Sequence, residues 1–148
     1  MADVEKLHFK IGLSGTYWDK KPIYSVLVNT DTVETREVST ASDEVFYVEF
    51  DRELAEGPAT LSILLQNKDD SDVVQNEDKT AILKDLLLNI VSIEIDEIDL
   101  GNLIYSQSVF TGNDSTRPVL ENCVNLGWNG TWTLTFTSPF YIWLLENI

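Results

Sequence analysis

The sequence has little of the residue types from which disulfides, catalytic triads and nucleic-acid surfaces are built. Cys123 is the only cysteine in 148 residues, so no intramolecular disulfide can form. His8 is the only histidine, and no nucleophile elbow accompanies it, which argues against a His-based triad. Lys and Arg number 10 against 25 Asp and Glu, which gives a formal net charge of −15. Such a charge repels phosphate backbones and anionic lipids, so we expect neither nucleic acid nor a membrane as partner.

Long apolar runs and glycine-rich phosphate loops are missing as well. The N-terminal stretch MADVEKLHFK lacks the apolar core of a signal peptide, and no run approaches the length of a transmembrane helix. We therefore expect synthesis in the cytoplasm without a signal peptide. No Cys/His metal box is present, and the many carboxylates cannot be sorted into the acid and the base of a glycosidase. The sequence favours a protein that is not an enzyme.

The most hydrophobic part of the chain is residues 126–145, which hold three of the four tryptophans. The middle of this stretch alternates between threonines and large apolar residues, which is typical of a strand with one buried face. The apolar members are Trp132, Leu134 and Phe136. Asn129-Gly130 favours a tight turn before the strand, and Ser138-Pro139 predicts a break after it.

Shorter apolar alternations recur along the chain, separated by turn residues such as Gly57-Pro58. The predicted strands are residues 6–13, 23–29, 33–38, 45–50, 60–65, 85–100 and 103–110. A helix over residues 81–90 is an alternative, because AILKDLLLNI also fits a helical period. The pattern predicts an all-β fold, an antiparallel β-sandwich or jelly roll with short helical turns at most, as one domain over residues 1–148.

Two stretches contain candidate binding residues. Tyr17 and Trp18 lie in a polar loop, where an aromatic ring either stacks on a sugar or folds back over the core edge. The segment of residues 67–84 is long for a hairpin loop and rich in carboxylates, among them Asp69, Asp70 and Asp72. Closely spaced oxygen ligands suit calcium, although the order is not that of an EF-hand, and a mobile acidic surface loop is the alternative.

Residues 5–100 resemble the calcium-dependent xylan-binding modules. The similarity lies in YSVLVNTDTVETREVS, VFYVEF, EGPATLSILLQNKDD and KDLLLNIVSIEIDEIDL. It implies a small β-sandwich in residues 1–105, with Asn67-Lys68-Asp69-Asp70 at the position of the family's Asn-Asp and Lys84-Asp85-Leu86 at the position of its Asp-Arg-Asn-Leu run. By this resemblance Asp85 joins Asp69, Asp70 and Asp72 as a candidate calcium ligand, and Tyr17 and Trp18 become candidate glycan contacts.

Residues 126–148 resemble the ends of small proteins encoded by marine tailed phages, cyanophages especially. The similarity lies in LGWNGTW followed by FTSPFYIW. It implies a virion protein, with residues 106–148 forming an aromatic strand pair and tail that complete the domain or contact a neighbour. The apolar run after Pro139 cannot remain in water, and we expect it to pack on its own sheet or on another subunit. The candidate contact residues are Phe140, Tyr141, Trp143 and Leu144.

Together these features predict a structural protein of a phage particle, foremost a capsid-surface decoration or cement protein. Its partners would be the major capsid protein or a tail protein, and a homo-oligomer is one form of such contact. The alternative function is a calcium-assisted glycan-binding module that serves as a host-surface adhesin, in which case Ca²⁺ is the cofactor.

Overall fold

The computed structural model describes residues 4–148 as two antiparallel sheets that face each other. The first sheet has the order β12-β8-β1-β4, with β9 paired to β8. Its strands are β1 (Val4–Thr16), β4 (Phe46–Ala55), β8 (Leu87–Ile95), β9 (Ile98–Asp99) and β12 (Asn125–Leu126). The all-β sandwich predicted from the sequence is thereby confirmed.

The second sheet has six strands in the order β11-β10-β13-β5-β2-β3. Its strands are β2 (Ile23–Val28), β3 (Asp31–Glu37), β5 (Gly57–Leu65), β10 (Ser108–Gly112), β11 (Leu120–Glu121) and β13 (Gly130–Ser138). A separate two-stranded sheet pairs β6 (Val74–Gln75) with β7 (Ile82–Lys84). The strands after residue 105 are built into both sheets, because β13 pairs with β5 and β12 pairs with β8.

The core lies between the two sheets and follows the period-two pattern of the strands. Alternate residues of β1, among them Leu7, Phe9 and Ile11, are fully buried. Trp132, Leu134 and Phe136 of β13 are fully buried as well, while the threonines between them face outward. The rings of Phe9 and Phe136 lie 6.4 Å apart between centroids and join the two sheets. The alternating strand predicted between Asn129-Gly130 and Ser138-Pro139 is therefore β13, one of the two middle strands of the second sheet.

Three local details differ from the sequence interpretation. The strands predicted over residues 45–50 and 60–65 are longer than expected, because β4 runs to Ala55 and β5 begins at Gly57, whose φ of 128° suits glycine at the short link between them. The alternative helix over residues 81–90 does not form, since β7 and β8 occupy this range. The strand expected over residues 103–110 begins as the short helix α1 (Leu103–Ser106), because Leu103 and Ile104 are adjacent and both buried.

The chain ends in α2 (Phe140–Asn147), a helix where a strand and tail were expected. Ser138-Pro139 is a cis peptide bond, and one oxygen of Glu5 accepts hydrogen bonds from the Ser138 hydroxyl and from the Phe140 N–H, the latter at 2.9 Å. A carboxylate at a helix N-terminus is favourable because the first N–H groups of a helix lack backbone partners.

None of the helices in residues 4–148 is long and apolar enough to cross a membrane.

Candidate functional site

Four connecting segments meet at one end of the sandwich. The register pairs Thr16 with Leu87, Leu65 with Gly130, and Gly112 with Gly130, so the adjoining loops leave the sheets side by side. These segments are residues 17–22, 66–86, 113–119 and 127–129. The segment of residues 66–86 contains a 3-10 helix (Asp70–Asp72) and the β6-β7 pair.

A cavity of about 430 Å³ opens between these segments. Its lining combines acidic, basic and amide side chains with one indole. The lining residues are Lys68, Asp69, Asp70, Val73, Ile82, Asp85, Asn113, Asp114, Arg117, Gly127, Trp128 and Asn129. Its volume falls within the range of about 300–1,000 Å³ that is usual for small-molecule sites.

Lys68 joins two of the segments, residues 66–86 and 127–129, through its side chain and its backbone. Its ammonium donates to Asp85 Oδ1 at 2.6 Å and to the Gly127 carbonyl at 2.7 Å. Its backbone N–H donates to Asn129 Oδ1 at 2.8 Å, and the Asn129 amide donates back to the Lys68 carbonyl at 2.9 Å. The Lys68 side chain is only 11% exposed, so these bonds act where water competes little.

A second lysine fixes the 3-10 helix. Lys20 contacts Asp69 Oδ2 at 2.8 Å and Asp72 Oδ2 at 2.9 Å, and the Asp69 N–H donates to Asp72 Oδ2 at 2.7 Å. Burial by itself would raise the pKa of Asp72, but the Asp69 N–H and the Lys20 ammonium together lower it below its ordinary value. Hydrogen bonds to Asp69 and then to Asp72 raise the pKa of Lys20. The pair therefore stays charged at neutral pH.

Three polar side chains of the cavity wall keep their hydrogen-bonding capacity free. Within residues 4–148 the side chains of Asp70, Asn113 and Arg117 have no hydrogen-bond or ion-pair partner. Asp114, beside them, accepts hydrogen bonds from the Thr116 N–H at 2.9 Å and the Thr116 hydroxyl at 2.8 Å, and these bonds lower its pKa. The wall therefore offers acceptors, amide groups and a guanidinium to a ligand.

Trp128 forms the apolar part of the wall. Its ring lies 5.7 Å from Phe110 between centroids, and the Arg117 guanidinium lies 4.7 Å above the ring. A Cβ atom at Gly112 would come within 2.6 Å of Trp128 Nε1, so only glycine lets the indole lie against β10 at this point. The guanidinium covers one ring face, and a sugar can reach that face only if Arg117 moves.

The two aromatic residues predicted as glycan contacts have different surroundings. Tyr17 folds back: its ring packs against the core, and its hydroxyl donates to the Thr40 carbonyl at 2.8 Å. Trp18 remains 43% exposed, and its indole N–H donates to the Asp72 carbonyl at 2.9 Å. The Lys84 ammonium lies 4.7 Å from the ring centroid. Trp18 is thus fixed to the 3-10 helix beside the cavity, whereas Tyr17 offers little ring surface.

The sequence analysis missed the residues that come from the second half of the chain. Asn113, Asp114 and Arg117 lie in TGNDSTRP, in which the sequence analysis named no site residue, and Trp128 was noted only as one of the tryptophans of residues 126–145. Polar residues concentrated in TGNDSTRP were the available signal. Their meeting with Asp70 depends on the pairing of β10 with β13, which spacing along the chain does not reveal.

The residues predicted as a subunit contact require a correction. Phe140, Trp143 and Leu144 are buried against this chain's own core, and the Phe140 ring is 6.4 Å from that of Phe136 between centroids. Tyr141 is the one of the four that is exposed. The run was expected to pack on its own sheet or on another subunit, and the helix turns half of it toward this chain's own core. The apolar residues that α2 exposes are Tyr141, Ile142 and Leu145, followed by the terminal Ile148.

The comparisons with known proteins find a similar fold in solved structures but no similar sequence. No family model and no curated protein matches the chain. A solved structure of vCBM60 in complex with galactobiose aligns with a TM-score of 0.53 and 15% identity, covering 86% of this chain and 96% of the other. A selenomethionine form of vCBM60, described in connection with circular permutation between two families of calcium-dependent carbohydrate-binding modules, aligns with the same TM-score and identity and covers 89% of that chain. The chain has the fold of these modules.

The carboxylates predicted as calcium ligands do not fit a calcium ion as they are arranged. Asp69 and Asp72 share the Lys20 ammonium, and Asp85 binds the Lys68 ammonium. Asp70 is exposed and stands apart from these pairs. Calcium takes about six to eight oxygen ligands, and in residues 4–148 no group of three or more His, Cys, Asp or Glu side chains could hold a metal ion. Two lysines already form ion pairs with three of the four carboxylates.

Proposed function

We propose that the protein binds carbohydrate in the cavity at the loop end of the sandwich and is not an enzyme. The observation that carries the proposal is the set of free side chains of Asp70, Asn113 and Arg117 that line a cavity of about 430 Å³. Sugars present hydroxyl groups that both donate and accept hydrogen bonds, and a carboxylate, an amide and a guanidinium serve both needs. The likeness to vCBM60, of which one structure contains galactobiose, supports the proposal.

Trp18 supplies the aromatic surface next to this cavity. Sugar rings stack their C–H faces on aromatic rings, and a ring that is already held in place loses little freedom on binding. The hydrogen bond to Asp72 and the Lys84 ammonium hold the Trp18 indole while 43% of it stays exposed. Tyr17 contributes indirectly, because it anchors the loop that carries Trp18.

A glycan array with the purified full chain tests the proposal. We expect selective binding that weakens about tenfold or more in Asp70→Asn and in Arg117→Gln, since each substitution removes a charged hydrogen-bonding group. Trp18→Ala should weaken the same glycans. Asp31→Asn is the matched control, because Asp31 is exposed at the start of β3. An array without selective binding, or equal affinities in all four variants, would contradict the assignment.

The virion role remains a prediction and forms the second candidate function. The exposed apolar side chains of α2, Tyr141, Ile142 and Leu145, are the surface that favours it. They replace the buried Phe140 and Trp143 as the expected contact with a capsid protein, a tail protein or a second copy. Both functions are compatible, because α2 and the cavity lie at opposite ends of the sandwich. Size-exclusion chromatography checks the self-contact: a monomer at high concentration excludes it.

A further inference from the structure

Two oxygen atoms from different segments of the chain converge on the ammonium of Lys68. Asp85 Oδ1 and the Gly127 carbonyl both lie within 2.7 Å of Lys68 Nζ. Carboxylate and carbonyl oxygens are also the usual ligands of calcium. A calcium ion that used the same oxygens would meet the positive charge of Lys68 at close range, and the two cations would repel each other.

Lys68 differs from Lys20 in what it connects. Lys20 contacts two carboxylates of one segment, Asp69 and Asp72, and its side chain is 33% exposed. Lys68 contacts the residue that precedes β8 and the loop that precedes β13, with its side chain 11% exposed. Lys68 therefore does what a bridging metal would do, which is to hold separate loops at fixed positions around the cavity.

We propose that Lys68 is a resident replacement for a metal cation and makes this carbohydrate site independent of calcium. The proposal rests on the proposed function only for the sugar ligand. The replacement of a cation by Lys68 can be tested without any sugar. It gives Lys68 the role of a positioning residue. It also separates this chain from the calcium-dependent modules whose fold it shares.

The first test compares the melting temperature of the full wild-type chain in chelator and in millimolar CaCl₂, together with a calorimetric titration of CaCl₂ alone. We expect the same melting temperature in both buffers and no saturating heat. A melting temperature that rises with calcium, or a saturating heat, would overturn the proposal, because a ligand that binds the folded state stabilises it.

The second test uses Lys68→Met, with Lys79→Met as the control in the same acidic segment, where Lys79 is exposed. We expect Lys68→Met to melt at a lower temperature in chelator and to recover part of the loss in calcium, because Asp85 and the Gly127 carbonyl lose their cation. Lys79→Met should show neither effect. A lowered melting temperature without any calcium response would make Lys68 an ordinary ion-pair residue and contradict the proposal.

Lys68→Arg, which keeps the charge, serves if Lys68→Met does not fold. It should fold, and its melting temperature should not change with calcium. A calcium response of Lys68→Arg would count against the proposal.

Glycan binding in the two buffers distinguishes this proposal from the proposed function. Equal binding of the same glycans in calcium and in chelator supports both. Binding only in calcium supports a carbohydrate site and overturns the role of Lys68. No binding in either buffer, with a melting temperature indifferent to calcium, overturns the carbohydrate site and leaves the cation replacement supported.

Discussion

The two ends of the sandwich are closed by different interactions. At the loop end, Lys68 and Lys20 join chain segments through ion pairs and hydrogen bonds to Asp85, Asp69 and Asp72. At the other end, α2 covers the core with aromatic rings. The rings are those of Phe136, Phe140 and Trp143, whose centroids lie 5.9–6.4 Å apart.

The contrast explains where a ligand can bind. The aromatic rings at the α2 end bury their surface and leave few polar groups without a partner. They therefore stabilise the fold and offer a sugar few hydrogen-bonding groups. Polar closure places donors and acceptors at the rim of a cavity, and those that the protein does not pair, such as Asp70 and Asn113, face the solvent. The aromatic end therefore stabilises the fold, and the loop end is the one that has unpaired polar side chains for the proposed ligand.

The largest effect is expected at the aromatic end. Phe140→Ala removes a fully buried ring that packs on Phe136 and Trp143. We expect the free energy of unfolding to fall by about 3–5 kcal/mol, which is the usual range for a buried Phe→Ala. Urea denaturation measures the change.

Leu145→Ala is the control for this experiment, because Leu145 lies on the same helix but is 73% exposed. It should change the free energy of unfolding by no more than about 0.5 kcal/mol. Equal losses in Phe140→Ala and Leu145→Ala would show that α2 does not close the core as described.

A smaller and local effect is expected at the loop end. Asp72→Asn keeps an acceptor for the Asp69 N–H but loses the charge that faces Lys20, and we expect the local stability to fall by about 1.5–3 kcal/mol. In the wild type, the lowered pKa of Asp72 means that its contribution is present above the unfolded value of about 3.9 and is lost as the pH falls through the folded value. The NMR signal of the Trp18 indole N–H, which donates to the Asp72 carbonyl, reports both changes.

Asp78→Asn is the matched control for this change, since Asp78 is an exposed carboxylate of the same segment. It should leave the Trp18 signal and its acid response unchanged. If Asp78→Asn and Asp72→Asn behaved alike, net charge in the segment, and not the ion pair with Lys20, would set its stability.

The sequence predicted the sheet interior better than the ends. Strict alternation in β13 and in β1 reflects one local cause, the side chains of a strand pointing to opposite faces, and it identified Trp132 and Phe9 as interior residues. The run after Pro139 offered no such constraint. Its residues are nearly all apolar, so neither a strand nor a helix period stood out, and contact with Phe136 decided the outcome.

The sequence also predicted only part of the candidate site. Asp69 and Asp70 were found because they lie close together in an acidic segment, Asp85 was named through the family resemblance, and the structure brings all three to the cavity. Their pairing with lysines could not be predicted, because Lys20 reaches Asp69 across 49 residues and Gly127 approaches Lys68 across 59. Such contacts depend on strand order, which composition does not specify.

The smallest effect is expected on the outer surface of the first sheet, away from both ends. His8 lies opposite Asp51 on β4, with Nδ1 at 2.7 Å from Asp51 Oδ1 and Nε2 at 3.2 Å from Glu49 Oε2. The hydrogen bond to Asp51 and then that to Glu49 raise the pKa of His8 above 6.5. Protonated His8 is thus favoured by folding, and its contribution to stability is complete below pH 6.5 and is lost as the pH rises through the folded value.

An NMR titration of the His8 imidazole measures this folded pKa. Asp51→Asn should lower it more than Glu49→Gln does, while Glu53→Gln, farther along β4, should leave it unchanged. A titration midpoint at or below 6.5 in the wild type would show that neither carboxylate stabilises the protonated ring, and the His8 pairs would then contribute nothing measurable to stability.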